Sequence, residues 1–318
     1  MVFVFFMVFP LNAEQVSENE ENDSAVTRDT SLTLQITTLP EVKLVFTQGF
    51  TFPLLQGDHF LRQDSNLKLA YSAEIAPVLV NLKGEATFTP IPLLQLVAGG
   101  FLGSGWVIPN LFGSEIRGTG FNDPVAHENG QRETAGDGRA FDGVFMGAHL
   151  GGAFQFSMAA VIPGDWNNVV FRTYHELAYK AYSRAVGYKE YSWFFENDAG
   201  ENRNGYTYYG NYLIGYQMPI FLNTVALLAE AYKSFYDTED GHLWGENLFR
   251  WEFSFVTNFT ITQSFSAALI TQLRTLRSYN NYEYGQDFNL YYRDRRLSDN
   301  RLRDLHFFRV ALILQYRF

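Results

Sequence analysis

From residue 42 onward, apolar and polar positions alternate with a period of two, the spacing of strands whose two faces meet different surroundings. In the last stretch of the chain Phe308, Val310, Leu312, Leu314, Tyr316 and Phe318 share one face, and Phe307, Arg309, Ala311, Ile313, Gln315 and Arg317 share the other. Residues 247–257 set Phe249, Trp251, Phe253 and Phe255 against Arg250, Glu252 and Ser254. Residues 206–218 set Tyr206, Tyr208, Tyr212, Ile214, Tyr216 and Met218 against Asn211 and Gln217. The pattern returns in 167–181, 220–236 and 261–279, and in the N-terminal half through Val42, Leu44, Phe46, Phe50 and Phe52, then Leu67, Leu69, Tyr71, Ala73 and Ile75. The expected class is all-β.

A soluble antiparallel sheet also alternates, because one face packs a core and the other meets water. Two features favour lipid here. The alternating runs last roughly 11–17 residues, where globular strands have a mode near 5–6 and a tilted membrane strand needs about 9–11. Aromatics also gather toward strand ends around aliphatic middles, as Phe221 and Phe235 bracket Val225–Ala231, the arrangement of interfacial girdles around an apolar band. The expectation is a closed antiparallel transmembrane β-barrel with long extracellular loops, in which every backbone donor is paired along the ladder.

Counting back from a last strand at about 304–318 assigns long outer loops to 280–303, 237–245 and 197–204, and an outer turn to 163–166. Tight inner turns fall near Asn258-Phe259, Met218-Pro219 and Ser183-Arg184. The Gly-rich stretch 104–142 is then extracellular only if a hairpin divides 143–150 from 153–162 at Gly151-Gly152. Pro90-Ile91-Pro92 makes a further inner turn. Pro40 and Pro77 leave two counts open: 12 strands if both interrupt long strands as bulges, 14 if both are turns. The reading adopted is 12.

Residues 2–9, VFVFFMVF, followed by Pro10 and Leu11-Asn12-Ala13, read as the apolar core and cleavage region of a secretory signal over 1–13. Residues 14–30 read as a flexible acidic leader, with Glu14, Glu18, Glu20, Glu21, Asp23 and Asp29 against Arg28. The barrel is assigned to 31–318. The 318 residues carry 24 Lys+Arg against 34 Asp+Glu and no cysteine. Disulfides, thiolate metal sites and Cys nucleophiles are thereby excluded, and an acidic chain without a basic run is no electrostatic nucleic-acid binder. No cofactor or metal is expected.

The closing aromatics Tyr316 and Phe318 resemble the C-terminal signal by which Gram-negative outer-membrane barrels reach their assembly machinery, with Ile313 where a small residue is usual. The stretches AEIAPVLVNLKGEATFTPIPLLQLVAGGFLGSGW (73–106) and VIPGDWNNVVF (161–171) resemble uncharacterised outer-membrane barrels of spirochaetes. The resemblance implies a fold and an address, the bacterial outer membrane, with its lipid bilayer and the assembly machinery as partners. It implies no activity.

Taken together, the inward positions hold Lys43, Lys68, Lys83, Arg172, Lys180, Arg250, Arg274 and Arg309 against Glu41, Glu74, Glu85, Glu176, Glu190, Glu230 and Glu252. A lumen this polar suits a passive, porin-like path for small polar solutes, with Arg172, Glu176, Lys180, Glu190, Glu230, Arg250, Glu252, Arg274 and Arg309 lining the pore. The same residues would also fill a sealed barrel with ion pairs, leaving the outer loops to serve as a structural or adhesive surface. A lipid hydrolase is the other class weighed. Its His-x-Ser-Asn-Gly motif is approached only by His127-Glu128-Asn129-Gly130, where Asn129 offers no hydroxyl to activate. His175 and Glu176 are adjacent on a strand and face opposite ways, so they build no shared site. The Arg-rich run 293–303 and the 104–142 segment remain open as plug, lid or solvated loop.

Overall fold

The computed structural model describes residues 26–318 except 39–40, 56, 58–64, 112–113, 122–124, 127–131, 134–139, 142, 187–192, 196–201, 237–247 and 280–296. Twelve strands form one closed antiparallel barrel in sequence order: β1 (Thr27–Thr37), β2 (Glu41–Pro53), β3 (Asn66–Ala76), β4 (Leu79–Ile91), β5 (Leu94–Gly105), β6 (Phe145–Ser157), β7 (Asn168–Tyr182), β8 (Gly205–Gln217), β9 (Leu222–Phe235), β10 (Arg250–Thr260), β11 (Phe265–Tyr279) and β12 (Leu297–Arg317). β12 returns to pair with β1, from Ser31 opposite Arg317 to Thr37 opposite Ala311. Among the described residues, helix is limited to single 3-10 turns at Met158–Ala160 and Ser183–Ala185.

The alternation sorts the two faces as expected. Leu150, Leu82 and Leu227 project outward and remain 69, 59 and 59% exposed, with Leu44, Leu102, Leu177, Ile214, Phe253 and Leu312 also on the outside. The inner face holds buried Glu41, Glu74, Arg172, Glu230, Glu252, Gln272 and Arg309. A soluble monomer rarely shows apolar patches beyond a few hundred Å², whereas here the apolar surface runs round the whole wall. With no open sheet edge and a polar interior, this is the architecture of a membrane-spanning barrel.

Twelve strands arise by a different route from the one the sequence suggests. The chain reverses between Thr37 and Glu41 and again at Pro77-Val78, so Pro77 belongs to a turn, while Pro40 lies outside the described residues. Two other expected features disappear. Gly151-Gly152 lies within the continuous strand β6 and makes no hairpin, because each glycine is paired on both sides, to Val97 and Glu176 and to Leu96 and His175. The described residues after Ser183-Arg184 supply no wall strand; the short piece Trp193–Phe195 pairs instead with Thr119–Phe121. Two strands gained at these reversals and two lost elsewhere leave the count at 12.

The side on which loops emerge changes with this. Connections 106–144, 183–204, 236–249 and 280–296 leave one mouth together with the reversals between Thr37 and Glu41 and at Pro77-Val78; connections 54–65, 92–93, 158–167, 218–221 and 261–264 leave the other. Residues 163–166, expected outside, therefore share a mouth with the short turns. The turn expected at Asn258-Phe259 falls at 261–264, since β10 continues to Thr260. β1 begins at Thr27, inside the stretch read as leader, because Arg28 donates to Gln48 Oε1 and Lys68 pairs with Asp29. The proposed signal at 1–13 lies outside the described residues.

Candidate functional site: the inner wall and its mouth

Strand pleating places the inward charges at matched heights, and their contacts form a belt over β4, β3, β2, β12, β11 and β10. Lys83 Nζ meets Glu74 Oε2 at 2.6 Å, and Lys43 Nζ lies 3.5 Å from Glu74 Oε1 and 2.6 Å from Glu41 Oε1. Glu41 Oε2 accepts from Arg309 Nη1 at 3.0 Å. Arg309 Nε donates to Gln272 Oε1 at 2.6 Å, and Gln272 Nε2 donates to Ser254 Oγ at 2.9 Å. Charges this buried need partners, since an unpaired one carries a large desolvation penalty.

A second group occupies β7, β8 and β9. Tyr174 OH donates to Glu176 Oε2 at 2.7 Å, and Tyr209 OH and Tyr232 OH donate to Glu230 Oε1 at 2.7 and 3.1 Å. The guanidinium of Arg172 lies 5.5 Å from the Tyr174 ring centroid and that of Arg250 lies 4.8 Å from that of Tyr232, within cation–π range. These tyrosines escape a scan for charge alone; parity with Asn211 and Glu230 was the signal that would have found them.

Of the nine residues expected to line a pore, Arg172, Glu176, Lys180, Glu230, Arg250, Glu252, Arg274 and Arg309 project to the inner face. Glu190 lies outside the described residues, as does the His127-Glu128-Asn129-Gly130 stretch. His175 faces out as expected but is not isolated: Thr173 Oγ1 and Tyr208 OH lie 2.9 and 2.7 Å from its ring nitrogens. The faces expected for Phe307 and Phe308 are exchanged. A bulge pairs Gln272 with Arg309 but Leu273 with Phe307, so Phe307 is 60% exposed while Phe308 lies beneath the guanidiniums of Arg274 and Arg309, at 4.1 and 5.0 Å.

Glycines let bulky inner side chains lie against the wall. A Cβ at Gly99 would stand 2.6 Å from the His149 ring, and one at Gly151 would stand 2.6 Å from Tyr174 OH. A Cβ at Gly147 would strike Phe101. The neighbours thus fill space a Cβ would occupy.

At the mouth with the longer connections, Trp193 and Phe195 from the 183–204 segment enter an apolar cluster with Leu79, Phe101, Phe145 and Tyr182 of the wall. The Phe195 ring stacks on Phe145 at 4.2 Å and Trp193 meets the same ring edge-on at 5.0 Å. Asn204 fixes the segment: its Oδ1 accepts from Tyr182 N and Trp193 Nε1, and its Nδ2 donates to Tyr182 O. The aromatic insert covers the β3–β7 side of this mouth.

No protein-family model matches the chain, and no curated protein matches it. Among solved structures, similarity extends to the KdgM porin in complex with disordered oligogalacturonate, at 10% identity and TM-score 0.38 over 91% of this chain and 99% of that one. The NanC porin matches at 9% identity and TM-score 0.37, over 92 and 100%. The beta domain of the Bordetella autotransporter BrkA matches at 10% identity and TM-score 0.38, over 92 and 97%.

Proposed function

We propose that the chain is a porin-like outer-membrane channel through which small polar solutes pass passively. The observation that carries this reading is the lining itself: His149, Phe101 and Tyr174 lie over glycines of the adjoining strands, which keeps bulk away from the axis of a barrel wider than the 8-stranded kind that side chains fill. Solutes would meet charges of both signs, with Lys43, Lys83 and Arg309 on one arc and Arg172, Glu176, Lys180, Arg250 and Arg274 on the other; Glu190 belongs to the same proposed lining. The mouth with the longer connections faces the exterior, as in bacterial barrels generally.

In this reading Tyr316 and Phe318, exposed on β12 and just beyond it, present the chain to the barrel assembly machinery. The stretches 73–106 and 161–171 support kinship with spirochaete barrels. The adjacent pair His175 and Glu176 lies on opposite faces of β7 and builds no shared catalytic site.

The test is single-channel recording of refolded protein in a planar bilayer under a salt gradient. Discrete steps are expected, with a reversal potential that moves toward cation preference in Arg274→Gln. A folded, heat-modifiable barrel that never conducts would overturn the proposal.

A further inference from the structure

One rung of the inner wall sets two buried carboxylates side by side. Asn211 on β8 pairs with Glu230 on β9, which pairs with Glu252 on β10, itself opposite Arg274 on β11, so neighbouring side chains of the rung stand side by side with Cβ atoms about 4.5–5.5 Å apart. Asn211, Glu230 and Glu252 are more than nine-tenths buried. Glu230 Oε1 is taken by Tyr209 and Tyr232, and Asn211 Nδ2 donates to Tyr209 OH at 3.2 Å. Glu230 Oε2, Glu252 Oε2 and Asn211 Oδ1 are buried with no hydrogen-bond partner. Neither carboxylate has a lysine or arginine within ion-pair distance among the described residues. Arg250 sets its guanidinium over the Tyr232 ring, and Arg274, opposite Glu252, sets its own over Phe308.

Two carboxylates removed from water side by side, each with one oxygen that no donor reaches, are strongly disfavoured. A shared proton would relieve the charge yet leave the Asn211 carbonyl unsatisfied; a cation takes all three oxygens. We propose that Asn211, Glu230 and Glu252 bind a hard divalent cation of calcium's kind on the inner wall. The donors are oxygen only, two carboxylates and an amide carbonyl. Calcium accepts such irregular sets with water completing its shell, whereas magnesium demands a near-ideal octahedron and zinc favours nitrogen and sulfur. No group of three or more His, Cys, Asp or Glu forms a metal cluster among the described residues; here the amide oxygen supplies the third donor. The site requires only the folded barrel and stands apart from whether the barrel conducts.

The test uses Tb³⁺ as a calcium probe on the full chain folded in detergent, with excitation of tyrosine, because Tyr209 and Tyr232 touch Glu230 directly. Saturable sensitised emission that Ca²⁺ displaces is expected. Glu252→Gln, which leaves both tyrosine bonds to Glu230 in place, is expected to weaken Tb³⁺ binding at least tenfold. The double variant Glu230→Gln/Glu252→Gln should abolish the sensitised signal, and Asp165→Asn, in a distant turn, should leave it unchanged. Heat-modifiable electrophoretic mobility establishes that each variant is folded. No saturable emission from folded wild type, the result of a shared proton, would sink the idea. So would unchanged affinity in Glu252→Gln.

Discussion

Arginine holds a charge that cannot be given up, so a buried arginine is tolerable only where acceptors surround it. Arg309 shows the requirement met, with Glu41 and Gln272 on its donors and Phe308 beneath its plane. Glu41→Ala therefore leaves buried cations at Arg309 and Lys43 without their shared carboxylate. It is expected to cost about 3–5 kcal/mol in urea unfolding from detergent. Glu41→Leu combined with Arg309→Met should cost less than Glu41→Ala, since it removes both charges. At Gly151 the argument is steric: Gly151→Leu must displace Tyr174 from the wall, and conductance should fall while the barrel remains heat-modifiable. The charged half of this chemistry was legible from parity alone, which placed Arg309, Glu230 and Glu252 inside. The tyrosine half was read less easily, because on a lipid-facing strand an aromatic side chain reads as outward, although parity with Asn211 and Glu230 turns Tyr209 and Tyr232 the other way.

At the scale of elements, period-two alternation identified the strands well and their ends poorly. Alternation reports which face a residue occupies, and a turn interrupts it no more visibly than a bulge does. Gly151-Gly152 looked like a hairpin because glycine is permissive in turns; its use here is to clear room for Tyr174 at the inner position, while Gly152 takes the outer one. Pro77 could be either bulge or turn by chemistry, and the pairing of Ala76 with Leu79 decides for a two-residue turn. The β12 bulge was hidden for the same reason, since Phe307 and Phe308 are alike and exchanging them leaves the pattern intact. Alternation does predict where charge will hurt. Leu150 lies midway along β6 on the outer face, so Leu150→Arg should cost about 2–4 kcal/mol in lipid, whereas Met146→Arg, nearer the rim, should cost about 0–1. Reversible unfolding from vesicles measures both.

Across the whole molecule the two mouths differ. One is bounded by short turns and two modest loops; the other is half covered by an aromatic insert sharing a core with the wall. The insert was not foreseeable from local pattern, because Trp193 and Phe195 are stabilised by Phe145 and Leu79, far away in sequence. Trp193→Ala should cost about 3–5 kcal/mol of packing confined to this mouth. The expected signs are a larger single-channel conductance and faster proteolysis within 183–204, with the twelve-strand barrel still resistant to SDS. Unchanged conductance would mean that the insert stands clear of the solute path.

The junction of β1 with β12 also sets an order in time. A ribosome delivers residues 27–37 long before 297–317, yet these strands are neighbours, held at one end by Thr38 N–H donating to the Val310 carbonyl and by Arg309 reaching past β1 to Glu41 of β2. No partial chain can close the circle, so an unfinished molecule carries two raw sheet edges that invite pairing with the wrong partner. Such a chain must travel unfolded and close only when its last strand is in hand. A version lacking β12 should accumulate as aggregate, with no smaller barrel formed in its place.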